Sequence, residues 1–90
     1  MTNFIGTIAD ADGDLLGLTI GGPNGYKRSE SYSTSFELPL DLTTGTYVVS
    51  VEVSGPGKFE FSITGDAKNI APPVPMDISN STKIFTFDIS

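Results

Sequence analysis

Apolar and polar residues alternate along four segments of the chain. In the most regular segment, Phe59, Phe61 and Ile63 alternate with polar or charged neighbours. Because successive side chains of a β-strand point to opposite faces, this alternation predicts a strand with one buried face. Residues 32–38, 46–54 and 84–89 show the same period. Their expected inward positions are Tyr32, Thr34, Phe36, Leu38, Tyr47, Val49, Val51, Val53, Phe85, Phe87 and Ile89.

Two turn sequences predict β-hairpins. Apolar runs at residues 4–10 and 15–20 flank a turn at residues 11–14, which contains an Asp-Gly pair. Such a pair favours a tight hairpin, since both residues tolerate positive φ. Gly55-Pro56-Gly57 separates residues 46–54 from the strand around Phe61, and it predicts a second hairpin.

The remaining segments are expected to be connections or edge strands. Gly and Pro punctuate residues 21–25 too densely for regular structure, and residues 26–31 continue as a polar loop. Pro39 is expected at the end or edge of a strand, because proline cannot donate to a sheet. Residues 65–75 form a long, extended, proline-rich connection before a short edge strand at residues 76–78. Six or seven short strands predict a single all-β domain over residues 1–90, an antiparallel β-sandwich of immunoglobulin-like type.

Residues 4–55 carry a pattern found in a known family. The pattern consists of GTIADADG at residues 6–13, LG at residues 16–17, FEL at residues 36–38 and GTYVVSV at residues 45–51. It resembles the carboxypeptidase regulatory-like, or prealbumin-like, domains. The resemblance implies a seven-stranded sandwich of the transthyretin type that serves as a non-catalytic accessory or surface module. It also implies that the histidine-dependent hydrolase activity of that superfold is not carried over, because this chain has no histidine.

The composition argues against catalysis. The chain contains no His, Cys or Trp. The usual general base near neutral pH and the usual thiol nucleophile are therefore missing, as are the ligands of a common zinc site. A carboxylate pair, a Lys or a Ser remains for an enzyme. A carboxylate pair must face each other across a cleft, which a sandwich this small rarely offers. We therefore expect a protein that is not an enzyme.

The net charge of −6 narrows the choice of partners. A negative field repels phosphate backbones and anionic lipid surfaces, so nucleic acid is not an expected partner. No apolar run approaches the roughly 20 residues that span a bilayer, and residues 1–20 lack the pattern of a signal peptide. These features predict a soluble protein without membrane insertion, and they leave its compartment open.

Asp10, Asp12 and Asp14 have the 1, 3, 5 spacing of a calcium loop. The EF-hand pattern also requires Gly at its sixth position and Glu at its twelfth, where this chain has Leu15 and Gly21. The three carboxylates are a candidate site for weakly bound calcium. The competing interpretation is that aspartate favours the turn and keeps its tip hydrated. No other cofactor is expected.

One cluster of aromatic and basic residues stands out on an acidic chain. Its members are Asn24, Tyr26, Lys27, Arg28 and Tyr32. Tyr and Arg are enriched where proteins bind partners, so the cluster is the candidate partner-binding site. A protein is the favoured partner, and a glycan stacked on tyrosine is the alternative. The competing interpretation is a polar loop whose Tyr32 turns into the core. A homodimer through the edges or faces of the sheets is a further candidate assembly.

Overall fold

The computed structural model describes residues 1–8 and 14–90, which form nine strands. The strands are β1 (Thr2–Ile8), β2 (Leu15–Gly21), β3 (Lys27–Tyr32), β4 (Phe36–Leu40), β5 (Gly45–Ser54), β6 (Phe59–Gly65), β7 (Lys68–Ala71), β8 (Met76–Ile78) and β9 (Ser81–Ile89). A short 3-10 turn, Pro23–Gly25, separates β2 from β3. Within the described ranges there is no α-helix, and hence none with the length and apolarity to cross a bilayer.

The strands form two antiparallel sheets. One sheet has four strands in the order β4-β1-β6-β8, and the other has five in the order β3-β2-β5-β9-β7. This arrangement confirms the antiparallel β-sandwich. It contains two strands more than the expected maximum of seven, namely β3 and β7, both of which lie at edges of the five-stranded sheet.

The core lies between the sheets and includes the predicted inward positions of three of the four alternating segments. Phe59, Phe61 and Ile63 of β6 are buried, and so are the predicted inward residues of β5 and β9. Aromatic rings join the layers: the centroids of Phe61 and Phe85 are 5.2 Å apart. Burial of these large side chains supplies the main driving force of a domain that has no disulfide.

Both predicted hairpins are wrong. β1 pairs with β4 and β6, whereas β2 pairs with β3 and β5, so the chain changes sheets between β1 and β2. Residues 9–13, which include most of the predicted turn, lie outside the described residues. The second turn, at residues 55–57, likewise connects β5 of one sheet to β6 of the other. A short turn can lead either into a hairpin or from one sheet to the other. Here the strands on either side of each connection pair within different sheets.

The predicted loop at residues 26–31 is also wrong, because most of it forms β3. The strand pairs with β2 over six residues, from Leu16 opposite Tyr32 to Gly21 opposite Lys27. The predicted strand at 32–38 is correspondingly interrupted between β3 and β4, and Thr34 is exposed instead of inward. Pro39 lies within β4, at the edge of the four-stranded sheet, as its missing donor requires.

A ring stack closes one side of the sandwich. Tyr32 of β3 and Phe36 of β4 lie parallel, with centroids 3.8 Å apart and an interplanar angle of 6°. The Phe36 ring covers Gly6 of β1 so closely that a Cβ there would lie 2.2 Å from Phe36 Cε1. The glycine therefore makes room for the ring that ties an edge of one sheet to an edge of the other.

Candidate partner-binding site

The 3-10 turn before β3 fixes the position of Tyr26. The Tyr26 amide donates to the carbonyl of Pro23 (3.1 Å), and the Gly22 amide donates to the carbonyl of Tyr26 (3.0 Å). Asn24 and Gly25 occupy the left-handed region, with φ of 58° and 76°. These are the residue types that enter this region most easily, so the local sequence specifies the turn. Asn24 is exposed at its tip.

Tyr47 supports this turn from the core. Its ring meets the half-buried Tyr26 ring edge to face, with centroids 5.9 Å apart and an interplanar angle of 77°. On another side it stacks on Phe87 at 5.4 Å, and its hydroxyl donates to the carbonyl of Thr43 at 2.7 Å. Gly22 lies against the same ring, because a Cβ there would come within 2.4 Å of Tyr47 Cε2. The turn is therefore held by a rigid, buried aromatic residue.

An open groove of about 490 Å³ lies beside the turn, on the outer face of the five-stranded sheet. Gly21 forms part of its floor, and Lys27 and Val48 line its sides. These three residues are paired across β3, β2 and β5, so they point to the same face. A Cβ on Gly21 would meet nothing within 4 Å. The groove thus owes part of its depth to a missing side chain.

The groove ends at the free edge of β3. Arg28 and Glu30 lie on the strand's inner face, since they pair with the buried Ile20 and Leu18 of β2. The Arg28 Nη2 and Glu30 Oε1 atoms are 3.4 Å apart, a loose ion pair between partly exposed side chains. Such a pair contributes little to stability, so both groups are free to exchange partners.

Tyr32 is separated from the rest of the predicted cluster. It lies at the far end of β3, about 20 Å from Tyr26 by strand length, and its ring is stacked on Phe36. Burial raises the pKa of its phenol above the ordinary value, and the Glu30 carboxylate raises it further. The structure therefore brings together Asn24, Tyr26 and Lys27 beside the groove, places Arg28 on the adjoining edge, and assigns Tyr32 a packing role.

The candidate calcium residues are described only in part. Asp10 and Asp12 lie outside the described residues. Asp14 is buried, and its Oδ1 accepts a hydrogen bond of 2.8 Å from the Gly57 amide. Its Oδ2 is also buried and has no partner among the described residues. Among residues 1–8 and 14–90, no group of three or more His, Cys, Asp or Glu side chains is arranged to hold a metal ion.

Three residues of this surface were not predicted from the sequence, namely Gly21, Glu30 and Val48. Val48 is 47% exposed on the outward face of the ten-residue strand β5. Gly21, the last residue of β2, is one of two outward-facing glycines on that strand, and such a glycine can mark a close approach by another molecule.

Comparison with known proteins gives no match: no family model, no curated protein and no solved structure matches the chain. The resemblance of residues 4–55 to carboxypeptidase regulatory-like domains therefore stays a prediction.

Proposed function

We propose that this protein is a non-catalytic β-sandwich module that makes protein–protein contacts within a larger assembly. The contact surface consists of the β3 edge together with the adjoining groove lined by Gly21, Tyr26, Lys27 and Val48. The observation that carries the proposal is the direct junction of a regular strand edge, which pairs with no other described strand, with an open, partly apolar groove.

The chemistry of this surface favours a protein over a glycan. An unpaired strand edge offers backbone donors and acceptors in the spacing that another polypeptide strand matches. The groove beside it accepts a side chain, so backbone pairing and side-chain insertion act together in one contact. A stacking platform for sugars needs an exposed aromatic face, whereas Tyr26 directs its ring against Tyr47.

Photo-crosslinking from defined positions tests the surface. A benzophenone amino acid replaces Lys27 in one variant and Glu60, an exposed residue on β6 of the other sheet, in a matched control. We expect a discrete crosslinked protein species from position 27 in the source cells and none from position 60. Equal crosslinking from both positions, or none from position 27, would contradict the assignment of the surface.

A pair of glycine variants then tests the groove against the identified, purified partner. G21V fills the groove, and G17V adds the same side chain four residues away on the same face of β2, where a Cβ also meets no neighbour closer than 3.9 Å. We expect G21V to weaken binding about tenfold, or about 1.4 kcal/mol, while G17V binds as the wild type does. Equal affinities for all three proteins would show that the groove is not used.

A small calcium-responsive domain is the second candidate, supported by the Oδ2 of Asp14, which is buried and has no partner among the described residues. A cation shared with Asp10 and Asp12 would offset the cost of burying this charge. Calcium must then raise the melting temperature as its concentration passes the dissociation constant, with a smaller rise in D14N. Identical melting temperatures with calcium and with chelator would eliminate this candidate.

A further inference from the structure

The edges of the two sheets differ in how well they are suited to pairing with another strand. β4 carries Pro39, which cannot donate a ladder hydrogen bond, and β8 has only three residues. β7 is short and pairs with β9 in an irregular register. β3, in contrast, keeps a regular register with β2 over six residues and contains no proline. Among the described strands, β3 is therefore the edge best suited to pairing with another polypeptide.

The charges of β3 are complementary to those of a second copy of β3 that runs antiparallel to it. In a two-fold symmetric antiparallel pair, each residue opposes a residue that points to the same face. If Ser29 lies on the two-fold axis, Arg28 opposes Glu30 of the second copy, and Glu30 opposes Arg28. Together with the Arg28–Glu30 ion pair within each strand, four charges of alternating sign then form one network.

Neighbouring registers lack this complementarity. Moving the axis by one residue places Arg28 opposite Arg28 in one direction and Glu30 opposite Glu30 in the other. Like charges directly opposed across a ladder are destabilising. Charges of a single sign would suffice to protect an edge from pairing, whereas two opposite charges on the same face, two residues apart, select one register.

We propose that a second copy of this chain is the partner of the β3 edge, paired antiparallel with Ser29 opposite Ser29. The two five-stranded sheets then form one continuous ten-stranded sheet. This inference rests on the proposed function in its choice of surface, and it adds the identity of the partner and the register. β3 carries two of the chain's five basic residues and one of its eleven acidic ones. It is therefore the part of an acidic molecule where two copies approach with the least repulsion.

Charge exchange tests the pairing. Sedimentation velocity over a concentration series extending to high micromolar should show a monomer–dimer equilibrium. R28E and E30R each create like-charge pairs twice by symmetry, so each should raise the dissociation constant about tenfold. The double variant R28E/E30R restores the opposite charges and should dimerise like the wild type. An equimolar mixture of the two single variants should form a heterodimer.

A pair of cysteine variants tests the register. The chain has no native cysteine. Directly opposed residues have Cα atoms about 4.5–5.5 Å apart, within reach of a disulfide, so S29C should oxidise readily to a covalent dimer. In the same register the two copies of residue 31 are about 13 Å apart along the strands. Ser31 is an exposed serine on the same face of β3. The S31C variant should therefore stay monomeric under the same conditions.

A monomer at all concentrations, equal oxidation of S29C and S31C, or failure of the double variant to recover would each overturn the homodimer. These results are independent of the crosslinking experiment. If the protein is monomeric but still crosslinks to a different protein from position 27, the proposed function stands. That result refutes only the proposal that the partner is a second copy of this chain. Circular dichroism of each variant confirms that the fold is kept.

Discussion

Two adjacent glycines are expected to respond in opposite ways to the same substitution. A Cβ on Gly22 would lie 2.4 Å from Tyr47 Cε2 and 2.5 Å from Tyr47 Cδ2, whereas a Cβ on Gly21 meets nothing within 4 Å. The backbone of Gly22 is extended, with φ of −153° and ψ of −167°. Alanine adopts this conformation, so a penalty at position 22 is steric alone.

The size of the penalty follows from the rigidity of the Tyr47 ring. Stacking on Phe87 and the hydroxyl bond to Thr43 hold the ring, which is 1% exposed. Forcing a methyl group into such a site costs about 1–3 kcal/mol. For a domain of this size that corresponds to a fall of about 5–20 °C in melting temperature. G21A should be within about 1 kcal/mol of the wild type, on the stabilising side, because alanine narrows the unfolded ensemble.

Urea denaturation at equilibrium and calorimetry measure both variants. The Y47L background provides the decisive comparison, because the smaller side chain vacates the space that the new methyl group needs. G22A should cost less in Y47L than in the wild type, and the difference is the coupling energy between the two positions. If G22A proves as stable as G21A, or if its cost is unchanged in Y47L, the inferred contact is wrong.

Substitutions at two further residues test polar contacts elsewhere in the fold. Asp88 accepts hydrogen bonds from Asn69 (3.0 Å) and Thr46 (2.9 Å), which lower its pKa. Its contribution to stability is therefore present above the ordinary aspartate pKa and lost as pH falls through the lowered value. The stability difference between wild type and D88N should shrink over that acid range in a pH series of urea titrations, and a difference independent of pH would refute the linkage. D14A leaves the Gly57 amide without its acceptor and should cost about 1–3 kcal/mol, whereas D14N keeps an acceptor oxygen and should cost less. Equal urea midpoints for the two Asp14 variants would contradict this role.

The sequence predicted the core strands because each has one fully buried face. Phe59, Phe61 and Ile63 reveal their strand by alternation, and Tyr47 and Val49 do so in the same way. β3 was missed for the opposite reason. Among the described strands it pairs with β2 alone, and none of its residues is fully buried, so no two-residue hydrophobic period could mark it.

The pairing of the strands was beyond what local turn chemistry can specify. The glycines around Pro56 indicate where the chain reverses, but the partner of each strand depends on which sheet buries its apolar face. The candidate site was recovered in part for a related reason. Tyr26 and Lys27 stand out by residue type, whereas the contributions of Gly21 and Val48 depend on pairing across three strands.

The order in which the strands enter the two sheets has a consequence for folding. Apart from β2 and β3, each described strand lies in the opposite sheet from the strand that follows it. Ladder formation therefore requires segments distant in the chain to meet, which slows folding and makes it cooperative. The β2–β3 hairpin is the exception, since it needs only nearby residues. We therefore expect the hairpin that carries the proposed contact edge to be the earliest native pairing available to a chain emerging from the ribosome.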